Sequence, residues 1–419
     1  MSRSRVQVAV VGAGPAGLVL ANVLHRAGVG VQVWERHRRA HVEQQARAGV
    51  LEHRVVAYLR EQGLADRLLT EASRHGWCDI VCLGERIRVG YGESSGGAHH
   101  WVYPQQLLVR DLIAELARSG CPMHFVCPVT SVTHDTGHRP VVHTAEGDVE
   151  SDYVVGCDGA QGIVADTFPS HAVRAVQRRY PYDWITVLAE ATHPVGGVLY
   201  AVHACGFAGM MPRAGNIARL YLEAPQDVDL AHWPEQRVLD ELAVRLTPGP
   251  CDPAVTRVLE AGVLRLRSRV MSRLRHGRLF LAGDAAHVLT PSGGKGLNLA
   301  VADAADLAQG LIHACLHEDT AALDGYEERR LSGAWRTQEF SDRLLGLLHV
   351  PQRDAADREF ELRLRLDRIR RISEPGPAAT AFAREYAGSG TLYEPDPGTL
   401  HLEPTRAEPP DHDHGPSRS

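Results

Sequence analysis

A chain of 419 residues, 44% hydrophobic and 23% charged, is long for one hydrophobic core and ordinary in composition, so two or more globular lobes are expected. Its formal charge of −6 leaves no basic footprint for nucleic acid, and no apolar run reaches the roughly 18 residues that span a bilayer. The start, Met1-Ser2-Arg3-Ser4-Arg5, lacks a signal-peptide pattern, and the eight scattered cysteines form no Cys-x-x-Cys pair. A cytoplasmic protein with reduced thiols and no metal site is therefore expected.

In chain order, Val8-Ala9-Val10-Val11 runs into Gly12-Ala13-Gly14-Pro15-Ala16-Gly17. Apolar residues at helical spacing follow (Leu18, Val19, Leu20, Val23, Leu24), then Val31-Gln32-Val33-Trp34-Glu35. Gly12 permits a tight turn, Gly14 lets a pyrophosphate approach the backbone, and Gly17 lets the helix pack close to the strand. The helix N-terminus then faces phosphate charge, and Glu35 can accept from a ribose hydroxyl. A glycine-rich turn in some other α/β protein is the weaker reading, because strand, turn, helix, strand and acid all fall in register. An adenine dinucleotide site is expected. The cluster Arg36-His37-Arg38-Arg39 is a solvated loop on the bland reading; beside such a site it can instead hold phosphate through paired guanidinium donors.

Residues 50–64 have helical spacing, 77–105 look strand-rich and irregular, and 106–118 read as a helix. Short strands within 124–155 suggest a meander inserted in the α/β lobe, ending at Gly156-Cys157-Asp158-Gly159. From 181 to 224 the pattern alternates aromatic and aliphatic residues, indicating a sheet-based lobe to about residue 270 with a helix near 235–246. A strand returns at Gly277-Arg278-Leu279-Phe280-Leu281-Ala282-Gly283-Asp284, and a helix is expected from Leu297 to about Cys315. Its first N–H groups can hold an anion or a carbonyl oxygen. Helices should follow over 320–371, with a proline- and histidine-rich disordered tail from 394. The expected fold is α/β with α+β insertions. It comprises a Rossmann-like cofactor domain in two parts (1–175 and 271–320), a β-sheet substrate domain (176–270), a C-terminal helical region (321–393) and a tail (394–419).

Together the glycine fingerprint, Asp158-Gly159, Gly283-Asp284, Arg47-Ala48-Gly49-Val50-Leu51-Glu52, Val102-Tyr103-Pro104-Gln105 and Lys295-Gly296-Leu297-Asn298 resemble the group A flavoprotein monooxygenases, single-component FAD hydroxylases of aromatic rings. Within them the chain is most similar to the 4-hydroxybenzoate 3-monooxygenase branch, over nearly everything up to Tyr386. The resemblance implies that Glu35 holds the FAD ribose and that Gln45, Arg47, Ala48, Gly49, Val50 and Gln105 contact the cofactor. It places Gly283 and Asp284 near the ribityl–pyrophosphate region, and Leu297 and Asn298 at the isoalloxazine, where a positive helix end favours reduced flavin. Asp158 matches a position serving FAD and the nicotinamide, Arg267 one associated with pyridine nucleotide, and Arg36 supports NADPH, with NADH the alternative. Gln161 and Ala165 depart from the branch, which carries His and Arg there.

For the substrate, the resemblance makes Tyr200 the acceptor of the phenolic proton, Tyr386 the second relay tyrosine and His75 the relay's solvent end. Arg213 becomes the carboxylate clamp, Tyr221 its helper, and Pro291 the donor of a carbonyl near the substrate hydroxyl. Pro212 flanks the clamp. Each tyrosine alone would more often be a packed strand residue; their joint occurrence with Arg213 and His75 reverses that. The implied chemistry is NADPH reduction of FAD, formation of a flavin C4a-hydroperoxide with O2, and transfer of oxygen to a ring activated by loss of its phenolic proton. Met211 stands where the branch has a serine, and Val198 and Gly209 where it has leucines. A wider pocket follows, and with it a ring-substituted acid such as 3-amino- or 3-hydroxy-4-hydroxybenzoate. The alternatives are plain 4-hydroxybenzoate giving 3,4-dihydroxybenzoate, a flavin dehydrogenase or halogenase, and a non-catalytic flavin redox sensor. The partners expected are a small aromatic acid, O2 and NAD(P)H, with a homodimer as in many relatives.

Overall fold

The computed structural model describes residues 4–45, 49–135, 137–169, 171, 173–192, 196–213, 215–246, 254–351, 354–388 and 392. Arg47, Ala48 and the expected tail lie outside them.

The first sheet is parallel at its centre. Ser4–Val11 lies between Gly147–Gly156 and Val31–Glu35, which are flanked by Leu279–Leu281 and Met123–Phe125. Register pairs Val10 with Val33 and Val155, and Val155 with Phe280, so a continuous row of apolar side chains crosses the sheet. The hairpin of Val129–Thr133 and Val141–Thr144 extends antiparallel from Gly147–Gly156, as the expected meander does. The helix Pro15–Arg26 packs between this sheet and the helices Gln105–Ser119 and Lys295–His317. Its approach depends on Gly17, where a Cβ would fall 2.1 Å from the Gly12 carbonyl oxygen.

The second sheet has seven strands in the order Val255–Leu264, Tyr182–Ala191, Ile217–Pro225, Ala208–Pro212, Val198–Val202, Cys78–Cys82, Glu85–Val89. The last two come from the stretch assigned above to the first lobe. Cys78–Cys82 pairs parallel with Val198–Val202, and all ten of these residues are buried, so this strand lies inside the seven-stranded sheet, next to its Glu85–Val89 edge. That pairing joins residues more than a hundred positions apart, and local pattern does not register it. One face of the sheet buries Leu199, Ala208, Met210, Leu220 and Leu222 under the helix Glu235–Leu246, where the helix was expected. The other face, with Cys78, Ile80, Val198, Tyr200, Phe207 and Tyr221, packs on the helices Tyr326–Leu348, Ala355–Ser373 and Pro377–Ala387. The C-terminal helical region thus roofs the substrate sheet.

The helix expected from Leu297 begins two residues earlier, at Lys295, after Gly294 takes a left-handed turn (φ 64°). At 23 residues it is long and apolar enough to cross a membrane by length and composition, and two thirds of its most apolar stretch is buried inside the protein.

Candidate functional site

The dinucleotide cradle closes on itself through backbone. One Glu35 carboxylate oxygen accepts the Ala13 N–H at 2.9 Å and the other the His37 N–H at 2.8 Å, so the acid is aimed along the glycine turn with lone pairs to spare. No side chain caps the N-terminus of Pro15–Arg26, and a Cβ on Gly14 would find only one atom, 4.0 Å away. Free N–H groups beside open space fit a pyrophosphate. Gly12 sits at φ 107° with a hypothetical Cβ 2.3 Å from the Cys157 carbonyl, so glycine is required there. Farther along, Gly49 presses on the Tyr103 carbonyl and Val50 lends its carbonyl to Asn298 Nδ2 at 3.0 Å. Gln105 is buried at the start of its helix, whereas Gln45, Arg36 and Arg267 are exposed.

Gly283 donates its N–H to Asp303 at 2.9 Å, and the same carboxylate takes His287 Nε2 at 2.6 Å and Arg330 Nε at 2.7 Å. This buried cluster sets the turn that carries the half-buried Asp284. Leu297 and Asn298 lie in the first turn of Lys295–His317, whose end no side chain caps. The Asn298 side-chain amide is engaged, accepting from the Glu52 N–H at 2.8 Å and donating to the Val50 and Gly294 carbonyls at 3.0 and 2.8 Å. Asp158 turns inward and accepts the Val164 N–H at 3.1 Å; burial pushes its carboxyl up. In this arrangement Asp158 shapes the 158–164 turn.

On the substrate side, sheet register sets Tyr200, Gly209 and Tyr221 in one row, with Val198 and Met211 in the next and Phe207, Glu223 and Trp184 on the far side. The Tyr200 and Tyr386 hydroxyls meet at 2.8 Å, and Tyr200 also donates to the Ser292 carbonyl at 3.3 Å. The Pro291 carbonyl accepts the Gly294 N–H at 2.9 Å, and the carbonyl that accepts from Tyr200 is that of Ser292. Pro212 and Arg213 are half-buried at the strand end, where Arg213 holds the Ile217 carbonyl with its backbone N–H. Burial pushes its guanidinium down, and among the described residues no carboxylate pairs with it. A desolvated cation without an acid is suited to an incoming carboxylate.

Residues 5–341 match the family described as FAD binding domain. Over 394 residues the chain is 30% identical to p-hydroxybenzoate hydroxylase of Acinetobacter baylyi, covering 93% of this chain and 96% of that protein. This chain is a group A FAD-dependent aromatic monooxygenase. Among solved structures, p-nitrophenol 4-monooxygenase of Pseudomonas putida shares the fold (TM-score 0.75, 20% identity, 92% of this chain and 97% of that one). So does aklavinone-11 hydroxylase in complex with FAD and aklavinone (TM-score 0.70, 26% identity, 84% and 70%).

Two sequence readings of the monooxygenase need correction. Gly209 does not leave free space, because a Cβ there would lie 2.9 Å from Cζ of Phe207, whose buried ring leans over the glycine. Nor is His75 at the solvent: it is 5% exposed, Nδ1 is bonded to the Tyr91 hydroxyl at 2.8 Å, and Nε2 is buried with no partner in hydrogen-bond geometry. Burial pushes the His75 ring down to about 4, against an upward pull from the Trp77 backbone.

Three groups escaped the sequence reading. Lys295 and Glu52 form a buried ion pair at 2.5 Å, and Lys295 also donates to the Glu385 and Tyr386 carbonyls at 2.7 and 2.9 Å. Burial pushes the Glu52 carboxyl up, but Lys295 and Arg54 outweigh it and hold it at about 2. Gly388, at φ 62°, passes where a Cβ would strike Glu52, so the end of the Tyr386 helix is seated on this pair. His100 donates through Nε2 to the Tyr386 carbonyl at 2.7 Å, and Tyr91 packs edge-on against the Tyr386 ring at 4.9 Å. The Lys-Gly-Leu-Asn and Arg-Ala-Gly-Val-Leu-Glu runs contain Lys295 and Glu52, but nothing local shows that they pair.

Proposed function

We propose that this monooxygenase hydroxylates a 4-hydroxybenzoate-type aromatic acid next to its phenol, with NADPH as reductant and O2 as oxygen source. The observation that carries the reading is the Tyr200–Tyr386 hydroxyl pair at 2.8 Å, on the same sheet face as the unpaired Arg213. When bound, FAD supplies the redox chemistry, taking a hydride from the nicotinamide and delivering an oxygen atom from O2 to the ring. Glu35, the uncapped helix ends at Pro15 and Lys295, and the Gly283–Asp284 turn would hold it.

Arg213 pairs the carboxylate with planar, charge-assisted hydrogen bonds and so fixes which end of the ring faces Tyr200. Tyr200 takes the phenolic proton and passes its own to Tyr386, which makes the ring carbon beside the phenol a better nucleophile. Asp158 and the exposed Arg36 and Arg267 are assigned to the nicotinamide cosubstrate, with the arginines favouring NADPH over NADH. A cytoplasmic homodimer is proposed on likeness to relatives alone.

On the ring itself, Val198 in place of a leucine favours a substituent, whereas Phe207 over Gly209 fills the space beside Tyr200. The geometry therefore supports unsubstituted 4-hydroxybenzoate, giving 3,4-dihydroxybenzoate, better than its 3-amino or 3-hydroxy derivatives. The test is NADPH consumption by the purified yellow protein with each of the three acids, products identified by mass. Coupled turnover of the plain acid to a product one oxygen heavier supports the reading. Preference for a substituted acid would mean that Phe207 swings away from Gly209. Absence of stimulation by all three overturns the substrate assignment.

A further inference from the structure

Phe207 stands on one side of the tyrosine row and Arg213 on the other. Gly209 is level with Tyr200 and Tyr221, Met211 comes next toward Arg213, and Phe207 lies two residues the other way, level with Glu223 and Trp184. An acid held by Arg213 with its phenol at Tyr200 therefore directs that phenol toward Phe207. The Phe207 ring is 1% exposed, its centroid lies 6.2 Å from that of Tyr200, and its Cζ occupies the place of any side chain at Gly209. Its main chain is fixed from both sides. The Phe207 N–H donates to Glu223 Oε2 at 2.8 Å, and its carbonyl accepts from the Glu223 N–H at 2.9 Å and from the buried Arg245 at 3.1 Å. The same Oε2 meets His349 Nδ1 at 2.7 Å, and His349 Nε2 takes the Trp184 indole N–H at 3.1 Å. His349 follows directly on the roof helix Tyr326–Leu348, so this clasp ties the roof to the sheet at Phe207.

We propose that Phe207 is a specificity-determining residue that excludes a substituent beside the substrate's phenol, and that Glu223 and His349 are positioning residues that hold its ring there. The inference rests on the 4-hydroxybenzoate-type reading given above.

An indole N–H only donates, so His349 Nε2 bears the lone pair and Nδ1–H is the hydrogen given to Glu223. Both imidazole nitrogens are thereby spent, and the carboxylate oxygen that receives one of them also receives the Phe207 main chain. The rings close the clasp: Trp184 and His349 stand 4.9 and 5.1 Å from Phe207, and Tyr182 stacks on the outer side of His349 at 3.9 Å. Gly206, at φ 110°, admits the turn into Phe207, where a Cβ would lie 3.0 Å from Glu223 Cδ. With its backbone held and two aromatic walls beside it, the ring keeps the one direction left to it, over Gly209. The absence of a side chain at 209 thus benefits Phe207 and not the ligand. A phenylalanine kept only for packing needs the aromatic walls but not the carboxylate on its N–H.

The experiment titrates FAD-loaded protein with 4-hydroxybenzoate and with 3-amino-4-hydroxybenzoate, following flavin absorbance, and compares the ratio of the two Kd values between variants. Phe207→Val shortens the side chain and should shift that ratio toward the substituted acid by about 10- to 100-fold, the discrimination that a small group earns in an apolar pocket. Should it fail to fold, Phe207→Leu carries the same expectation in direction. His349→Leu should shift the ratio the same way, whereas His349→Gln, which can still donate to Glu223 and accept from Trp184, should restore it. A merely structural role would lower the melting temperature and leave the ratio alone. A ratio unchanged at position 207, or a wild type that binds the 3-amino acid as tightly as the plain one, overturns the proposal. A shift at 207 without one in His349→Leu overturns the positioning role. In each of these cases binding of the plain acid leaves the substrate reading standing; a wild type that binds neither acid overturns that reading itself.

Discussion

Gly12, Gly14, Gly17 and Glu35 occupy one β-α-β unit, whereas the Tyr200–Tyr386 contact spans 186 positions and is seated on a Glu52–Lys295 pair that spans 243. The cofactor cradle is made by backbone: turn, helix end and close approach are dictated by residues a few positions apart. The tyrosine half is made by side chains that meet only when a distant strand, Cys78–Cys82, joins the sheet and three C-terminal helices close over it. Damage to the first half should therefore remove cofactor outright. Damage to the second should be graded and specific to substrate or pH.

The sharpest break is Gly17→Leu, which drives a side chain into the Gly12 carbonyl. It should cost more than about 4 kcal/mol and yield protein without flavin absorbance; a yellow, stable variant would show that the helix can move away. Next is Lys295→Met, which leaves Glu52 buried without its main partner. A loss of about 3–5 kcal/mol is expected by urea denaturation, with Glu52→Gln/Lys295→Met recovering part of it. A full recovery or none would place the pair outside the tyrosine half's support.

Arg213→Ala should raise the Kd of an aromatic acid by about 10- to 100-fold, the worth of hydrogen bonds to a charged group. Its melting temperature should not fall, because an unpaired, desolvated cation is removed. Equal loss of affinity for the carboxylate-free phenol would argue against the clamp.

Acid stability gives a further test. His75 and His100 are held by burial at about 4 and about 3, against an ordinary 6.5. Unfolded chains take up these protons as pH falls below 6.5 while the fold refuses them. Stability should therefore drop between pH 6.5 and about 4, by up to about 1.4 kcal/mol per pH unit for each histidine. His100→Gln, which can still donate to the Tyr386 carbonyl, should flatten the slope of urea midpoints measured from pH 7 to 5. An unchanged slope would mean that other groups set it.

The first sheet, the helix Pro15–Arg26, the helix Glu235–Leu246 and the alternating strands from Tyr182 to Pro225 were legible because periodicity and glycine spacing act over short range. Cys78–Cys82 was not, since a five-residue run, apolar but for Asp79, carries no mark of which sheet it enters. Gly209 was misread for a related reason. Space beside a glycine depends on what leans over it, and that is a rotamer of Phe207, two positions away on the same face.

By itself the sequence determined that FAD would be bound and, through matched residues far apart, which class of flavin chemistry would follow. Those signals are backbone requirements or residue identities, and both are written locally. Only the tertiary structure decided that Glu52 pairs with Lys295, that the Ser292 carbonyl accepts from Tyr200, and that the Tyr91 hydroxyl meets His75. Side-chain contacts between distant segments are fixed by how the sheets and helices pack, and a one-dimensional pattern holds no distances.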